Sequence, residues 1–323
     1  MANDRRFCSS IGGYIQSFIN VKRAVGFQYK EHARCLYHFD RMVAESFPGA
    51  ETVTKEICRA WIELKPDQTT SGLARRLTPV RKLSKYINGL GIPAYVIPGN
   101  IPGKVPKYEA HIYTAAELQA FFHAIDQCEY CPWSPTQCYI VPIFFRLLYC
   151  CGLRSSEARC LQRNDVDLGT GKIMIRESKG RRKRIVFMSN DMLILCREYD
   201  AIIERILPGR EAFLPNRNGT HYGKSRTNDW FHKFWDSLPE AKAVKGNPAR
   251  LHDLRHTYAV NRLNAWIKEG KNVKSYYPYL SEYMGHASYR KTDYYLSLVA
   301  AFYPEMEKRL AKMNKTILPK VIK

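Results

Sequence analysis

Several short stretches of this chain carry side chains suited to holding and attacking a phosphate. In Leu251-His252-Asp253-Leu254-Arg255-His256-Thr257-Tyr258-Ala259, His252 and Arg255 stand three positions apart, which puts both on one face of a helix. Arginine offers a planar fork of charged donors and histidine a hydrogen bond or a seat for a proton, so the pair can converge on one anion. Asp253 reads as a partner for the helix start and His256 as a packing or capping residue. In Gly152-Leu153-Arg154-Ser155-Ser156-Glu157 an arginine follows a glycine turn at a helix start, where the helix field also attracts an anion. A surface arginine beside a cap fits the same residues. Glu177-Ser178-Lys179-Gly180-Arg181-Arg182-Lys183-Arg184 sits between two strand-like segments. A lysine at such a hairpin tip has the reach to enter a groove and donate a proton, while a solvated basic turn has the same composition. Met284-Gly285-His286-Ala287-Ser288 precedes a helix bearing Tyr294 and Tyr295, and in a chain with 21 tyrosines either one alone says little.

These groups lie far apart in sequence, so folded elements must bring them together. Alternation over residues 172–176 and 183–188 predicts two strands joined by residues 177–182, with residues 165–168 as the edge of a three-stranded antiparallel sheet. Thr114 with Glu117 three residues later is a capping box, opening a helix over residues 115–125. Helices are also expected over residues 139–150, 157–161, 191–206, 224–238, 252–267, 279–284 and 289–298. A last helix over residues 302–313 carries the apolar stripe Ala301, Phe302, Met306 and Leu310. Upstream, Ile11, Tyr14, Ile15, Phe18 and Ile19 recur at helical spacing, as do Leu36, Phe39, Met42 and Val43. Trp61, Ile62 and Leu64 mark a third segment, and Leu73, Leu77, Val80, Leu83 and Ile87 a fourth. From Gly89 to Pro106 a dense run of Gly and Pro stops regular structure and predicts an extended connection. The expected fold is mainly α with a small antiparallel β-sheet: a helical domain over residues 1–92, a linker over 93–112, and a domain over 113–323 that carries every reactive stretch.

Composition bounds the partner. A chain of 323 residues, 45% apolar, can bury two cores. Lys and Arg number 51 against 30 Asp and Glu, and the resulting charge of +21 is spread along the chain, which suits a folded surface facing a nucleic-acid backbone. A generically basic protein shares that charge. No stretch reaches the roughly 20 apolar residues that span a bilayer, and Met1 to Arg6 leads into no secretory apolar core. A cytoplasmic, nucleoid-associated protein without a membrane partner is expected. The ten cysteines then read as reduced thiols. Cys128, Cys131 and Cys138 open like a zinc site, yet no second Cys or His pair follows at finger spacing, so ordinary cysteines and no metal are expected.

Taken in order, the reactive stretches resemble the tyrosine recombinases, the integrases related to lambda integrase, Cre and the Xer recombinases. The resemblance rests on Gly152-Leu153-Arg154-Ser155-Ser156-Glu157, on Lys179-Gly180 with Arg184-Ile185-Val186, on the helix from His252 to Ala259, and on Gly285-His286-Ala287-Ser288. It is close over residues 114–298 and looser before them. It implies a SAM-like core-binding domain ahead of a catalytic domain, the two forming a clamp around double-stranded DNA. It implies that Arg154 and Arg255 clamp the scissile phosphate, Lys179 protonates the departing 5′ oxygen, His252 assists proton movement at the tyrosine, His286 hydrogen-bonds a phosphate oxygen, and Glu157 supports the arginine site. In the family the nucleophile usually follows the second histidine by nine positions, after a Thr three residues before it; Tyr295 and Thr292 fit, with Tyr294 second. Two departures stand out: Phe187-Met188 replaces a common Pro-Leu pair, and the stretch from Gly270 to Gly285 is longer than usual.

The reaction so implied suits these groups. Transesterification at a phosphodiester builds negative charge on the phosphoryl oxygens, which fixed cationic donors stabilise in the role magnesium plays elsewhere. A phenol, with a pKa near 10, is a poor nucleophile until its proton is accepted and nearby positive charge favours phenolate. A 3′-phosphotyrosine conserves the bond energy for rejoining, so no cofactor is implied. The resemblance further implies a homotetramer on paired sites, the last helix docking on a neighbour or packing in cis, with accessory DNA-bending or directionality factors as further partners. The first domain begins near residue 7, so a simple core-site recombinase is expected, an integrase or transposase of a mobile element ahead of an Xer-like chromosome or plasmid dimer resolvase. The competing classes are a type IB topoisomerase, marked by relaxation of DNA by a monomer, and a catalytically silent DNA-binding regulator, marked by the lack of a covalent DNA adduct.

Overall fold

Four helices build the first of two units, Met1–Tyr108: α1 (Gly12–Ala24), α2 (Lys30–Ser46), α3 (Lys55–Glu63) and α4 (Thr70–Gly89). The computed structural model describes residues 6–64, 67–105, 108–176, 183–244, 247–286, 294, 295 and 298. The helical-spacing positions turn inward as one core, with Ile15, Phe18, Leu36, Phe39, Trp61, Leu77 and Leu83 buried together. Thr54 and Thr69 start α3 and α4 by accepting hydrogen bonds from the Ile57 and Gly72 amides. Much of the Gly/Pro stretch is tied down rather than extended. Ile97 enters the core, the Tyr95 amide donates to the Val53 carbonyl, and Arg81 donates to the carbonyls of Ile97, Pro98 and Ile101. Prolines remove donors but leave carbonyls, and one arginine collects three carbonyls of this stretch, one of them that of Pro98.

The second unit, Glu109–Lys323, is organised around α6 (Gln137–Cys150). Ile140, Val141, Ile143, Phe144, Phe145, Leu147 and Leu148 bury nearly its whole circumference, as a helix at the centre of a domain requires. It packs against α5 (Ala115–Asp126), α7 (Ser155–Arg159), α8 (Asn190–Ile206) and α11 (Asp253–Lys268). The Thr114–Glu117 capping box opens α5. The sheet is antiparallel in the order β1 (Val166–Asp167), β2 (Lys172–Ile175), β3 (Arg184–Phe187), with Ile173 opposite Val186 and Ile175 opposite Arg184. Ile173, Ile175 and Val186 face the core, whereas Met174, Ile185 and Phe187 face solvent, so Phe187 at the Pro-Leu position lies on the outer face. The architecture is thus mainly α with a small antiparallel sheet. Among the described residues no helix is long and apolar enough to cross a membrane.

Among the helix boundaries that differ from the sequence expectation, three have a local cause. Helix α7 begins at Ser155 rather than 157, because the Glu157 carboxylate accepts the Arg154 amide hydrogen bond and draws the two serines into the first turn. Pro239 restarts a short α10 (Pro239–Ala243), so α9 (Lys224–Trp235) stops before residue 238. Helix α12 (Val273–Tyr283) starts six residues ahead of the expected 279. It is capped by the Asn272 side chain and contains Pro278, whose ring removes only one intrahelical donor so near the start. The expected helices over residues 289–298 and 302–313 lie outside the described residues, apart from residues 294, 295 and 298.

Candidate active site

The ends of α7, α11 and α12 meet around a cleft of about 1040 Å³. Arg154, Arg159, Lys224, Arg250 and Arg255 line it with His252, His256, His286, Tyr294 and Tyr295, and among the described residues no carboxylate lines it. Five cations lining one cleft make it a seat for an anion.

Arg154 stands at the N-cap of α7, half-buried, and Arg255 in the first turn of α11 is almost wholly enclosed. Each guanidinium is anchored by backbone carbonyls. Arg154 donates Nη2 to Gly285 at 2.7 Å, while Arg255 donates Nη1 to Gly152 at 2.5 Å and Nη2 to Met284. Glu157 is buried behind them, 2.5 Å from Arg154 Nη1 and 3.8 Å from Arg255 Nη1. Burial favours its neutral form, but the Arg184 hydrogen bonds and charge and the Arg154 amide outweigh that and hold its carboxyl at about 2. Arg255 is brought down to about 10 by burial and by the Arg154 charge, and stays cationic at neutral pH. The two glycines are required by this packing. Gly152 has φ +62° and a Cβ there would lie 2.5 Å from the Tyr258 ring, while Gly285 has φ +61° and a Cβ there would lie 2.9 Å from Arg184 Nη1.

Tyr295 is 2% exposed, with its ring stacked on His286 at 5.8 Å between centroids and tilted against His256 at 5.4 Å. Burial raises its pKa, against the charges of Arg255 and Arg154 and a hydrogen bond with Arg255, so the resting phenol keeps its proton. His252 sits at the mouth of the cleft, one residue ahead of α11. Desolvation at the cleft wall and then the charges of Arg255, Arg154 and Arg250 push its pKa down to about 4, which leaves the imidazole neutral and able to accept a proton. The Tyr294 hydroxyl, by contrast, accepts the Ala110 amide hydrogen bond at 2.6 Å.

Of the residues expected from sequence, the fold brings together Arg154, Glu157, His252, Arg255, His286 and Tyr295. Lys179, Thr292 and the 177–182 turn lie outside the described residues. Sequence reading gave no role to Arg159, Lys224 and Arg250 on the cleft wall, or to Arg184 behind it. Lone basic residues in a chain so rich in them carry no signal until their neighbours are known. His256, read as a packing residue, does pack on Tyr294 and Tyr295, but its ring also lines the cleft. Cys128 is buried and Cys131 and Cys138 half-buried, and among the described residues no group of His, Cys, Asp and Glu is placed to hold a metal ion.

Residues 112–301 match the phage integrase family. The chain belongs to this family, the tyrosine recombinases, which cleave and rejoin DNA through a tyrosine intermediate. It is 27% identical over 308 residues to the putative integrase/recombinase y4rB of Sinorhizobium fredii, covering 92% of this chain and 96% of that one. With the tyrosine recombinase XerC of Chlorobaculum parvum it shares 31% identity over 160 residues, 46% of this chain and 42% of that one. Its fold resembles that of the XerH site-specific recombinase bound to difH substrate in a pre-cleavage complex, with a TM-score of 0.61 at 18% identity over 91% of this chain and 84% of that one.

Proposed function

We propose that this protein is a site-specific recombinase of double-stranded DNA whose nucleophile is Tyr295. Arg154 and Arg255 bind the non-bridging oxygens of the scissile phosphate and His286 hydrogen-bonds one of them. Neutral His252 accepts the phenolic proton, the phenolate oxygen bonds to phosphorus, and the 5′ oxygen leaves with a proton from Lys179, giving a 3′-phosphotyrosine. Attack by the 5′ hydroxyl of a partner strand reverses these steps and frees the tyrosine. Glu157 keeps the arginines aimed. The observation that carries this reading is a buried tyrosine, hydrogen-bonded with Arg255, in a cleft whose described lining holds five cations and no acid.

Exchange between two duplexes breaks four strands, and one Tyr295 per protomer makes a homotetramer on paired sites the working assembly, helped by DNA-bending or directionality factors. Both units, a core-binding domain followed by a catalytic domain, bind the duplex. Integration or excision of a mobile element is the favoured role over dimer resolution. The relative that spans nearly the whole chain bears an integrase/recombinase name, while the XerC likeness stops at about half of it.

The test is incubation of the full chain with a nicked suicide duplex built from the sequence flanking its gene. A covalent protein–DNA adduct is expected, its peptide mapping to Tyr295, and none with Tyr295→Phe. An adduct that persists in Tyr295→Phe, or none with the unaltered protein, overturns the reading, and relaxation of supercoiled DNA by a monomer would favour a topoisomerase.

A further inference from the structure

Strand β3 sends one charged side chain into the interior. Its alternation turns Arg184 inward with Val186 and leaves Ile185 and Phe187 outside. A guanidinium carried inside must be paired or it destabilises the fold. This one holds both oxygens of Glu157, Nη1 to Oε1 at 2.9 Å and Nη2 to Oε2 at 2.7 Å, and donates Nε to the Tyr283 carbonyl at 2.7 Å. Glu157 therefore has one face on Arg184 and the other on the clamp arginines, with Arg154 Nη1 at 2.5 Å and Arg255 Nη1 at 3.8 Å. Held only from the clamp side, the carboxylate would be free to swing onto Arg154 and Arg255 and draw their donors from the cleft. Held on both oxygens from behind, it keeps a fixed angle. Gly285, whose carbonyl takes Arg154 Nη2 and which immediately precedes His286, is pressed against the same guanidinium. Arg184 does not line the cleft.

We propose that Arg184 is a positioning residue for strand cleavage: by fixing both oxygens of Glu157 and the backbone from Tyr283 to Gly285, it keeps Arg154 aimed at the phosphate and His286 set beside Tyr295. The inference rests on the cleavage reaction proposed above and adds to it a residue that touches no reacting atom. A displacement of about 1 Å in such a group costs on the order of 100-fold in rate while leaving ligand binding nearly intact.

The experiment measures single-turnover cleavage of the nicked suicide duplex at saturating protein, and retention of the same duplex, for the full chain and for Arg184→Met, Arg184→Lys, Glu157→Gln and the double variant Arg184→Met/Glu157→Gln. Arg184→Met is expected to cleave about 100-fold more slowly, with half-saturation within about 3-fold of the unaltered protein. The double variant is expected to be no slower than the slower single one, because both changes remove the same restraint. Arg184→Lys, which keeps the charge but not the fork, should recover part of the rate. Cleavage by Arg184→Met within about 3-fold of the unaltered rate, or losses that multiply in the double variant, overturns the proposal. Should Arg184→Met fail to fold, Arg184→Lys decides: an unchanged rate overturns the proposal and a slower rate with unchanged retention supports it. An unaltered protein that forms no adduct refutes instead the reaction on which the inference stands.

Discussion

His256 and Glu157 sit in the same unit and both make stability rise with pH, over different windows. Burial first, then the charges of His252, Arg255, Arg250 and His286, push His256 down to about 3 from an ordinary 6.5. Between those values the unfolded chain binds a proton that the folded one refuses, so this group makes stability rise with pH across the window. Glu157, held at about 2 against an ordinary 4.5, contributes stability that is present above 4.5 and lost as pH falls toward 2. The melting temperature is expected to climb from pH 4 to 6.5 and to climb less in His256→Asn; equal slopes by calorimetry would discard this account of His256. Tyr294→Phe should still form the covalent adduct, slowed by no more than about 10-fold, since one ordinary hydrogen bond is removed. Loss of the adduct in that variant would move the nucleophile to Tyr294. At this scale the sequence was most informative where a residue belongs to an ordered motif, as with Arg154, His252, Arg255, His286 and Tyr295. Arg184 was quoted among those motifs, but its role depends on a carboxylate 27 positions away, which only the fold brings near.

Elements hold these residues through positions with almost no tolerance. Gly152→Ala needs a side chain at positive φ and within 2.5 Å of the Tyr258 ring, and Gly285→Ala needs one within 2.9 Å of Arg184. Overpacking and strain together should cost about 2–4 kcal/mol in each, read as a lowered denaturant midpoint. Both variants should also slow cleavage more than their stability losses explain, because the Gly285 carbonyl anchors Arg154 and the Gly152 carbonyl anchors Arg255; rate losses no larger than the stability losses would show that no such anchoring operates. Strand pairing was legible from alternation and the α5 start from its capping box. The start of α12 was not, because Pro278 argues locally for a break that the Asn272 cap and the packing of Leu280 and Ser281 override. The restart at Pro239 hides in the same way, since one apolar rhythm runs across both α9 and α10.

Over the whole molecule the charge of +21 is a statement about affinity rather than fold. DNA retention should fall steeply with salt, and Lys224→Gln on the cleft wall should lower the log–log slope by about 1 while weakening all duplexes alike. A salt titration by fluorescence anisotropy checks this, and an unchanged slope would remove Lys224 from the phosphate path. The Gly/Pro density signalled an interruption in the chain but not where the first unit ends, because the carbonyls that Arg81 gathers leave no trace in composition. The Ala110 amide, two positions past the last residue of that unit, is hooked to the hydroxyl of Tyr294. A pull on the polypeptide where it enters the second unit would therefore reach, through this hydrogen bond, the residue next to the proposed nucleophile, a mechanical link between chain entry and reaction centre.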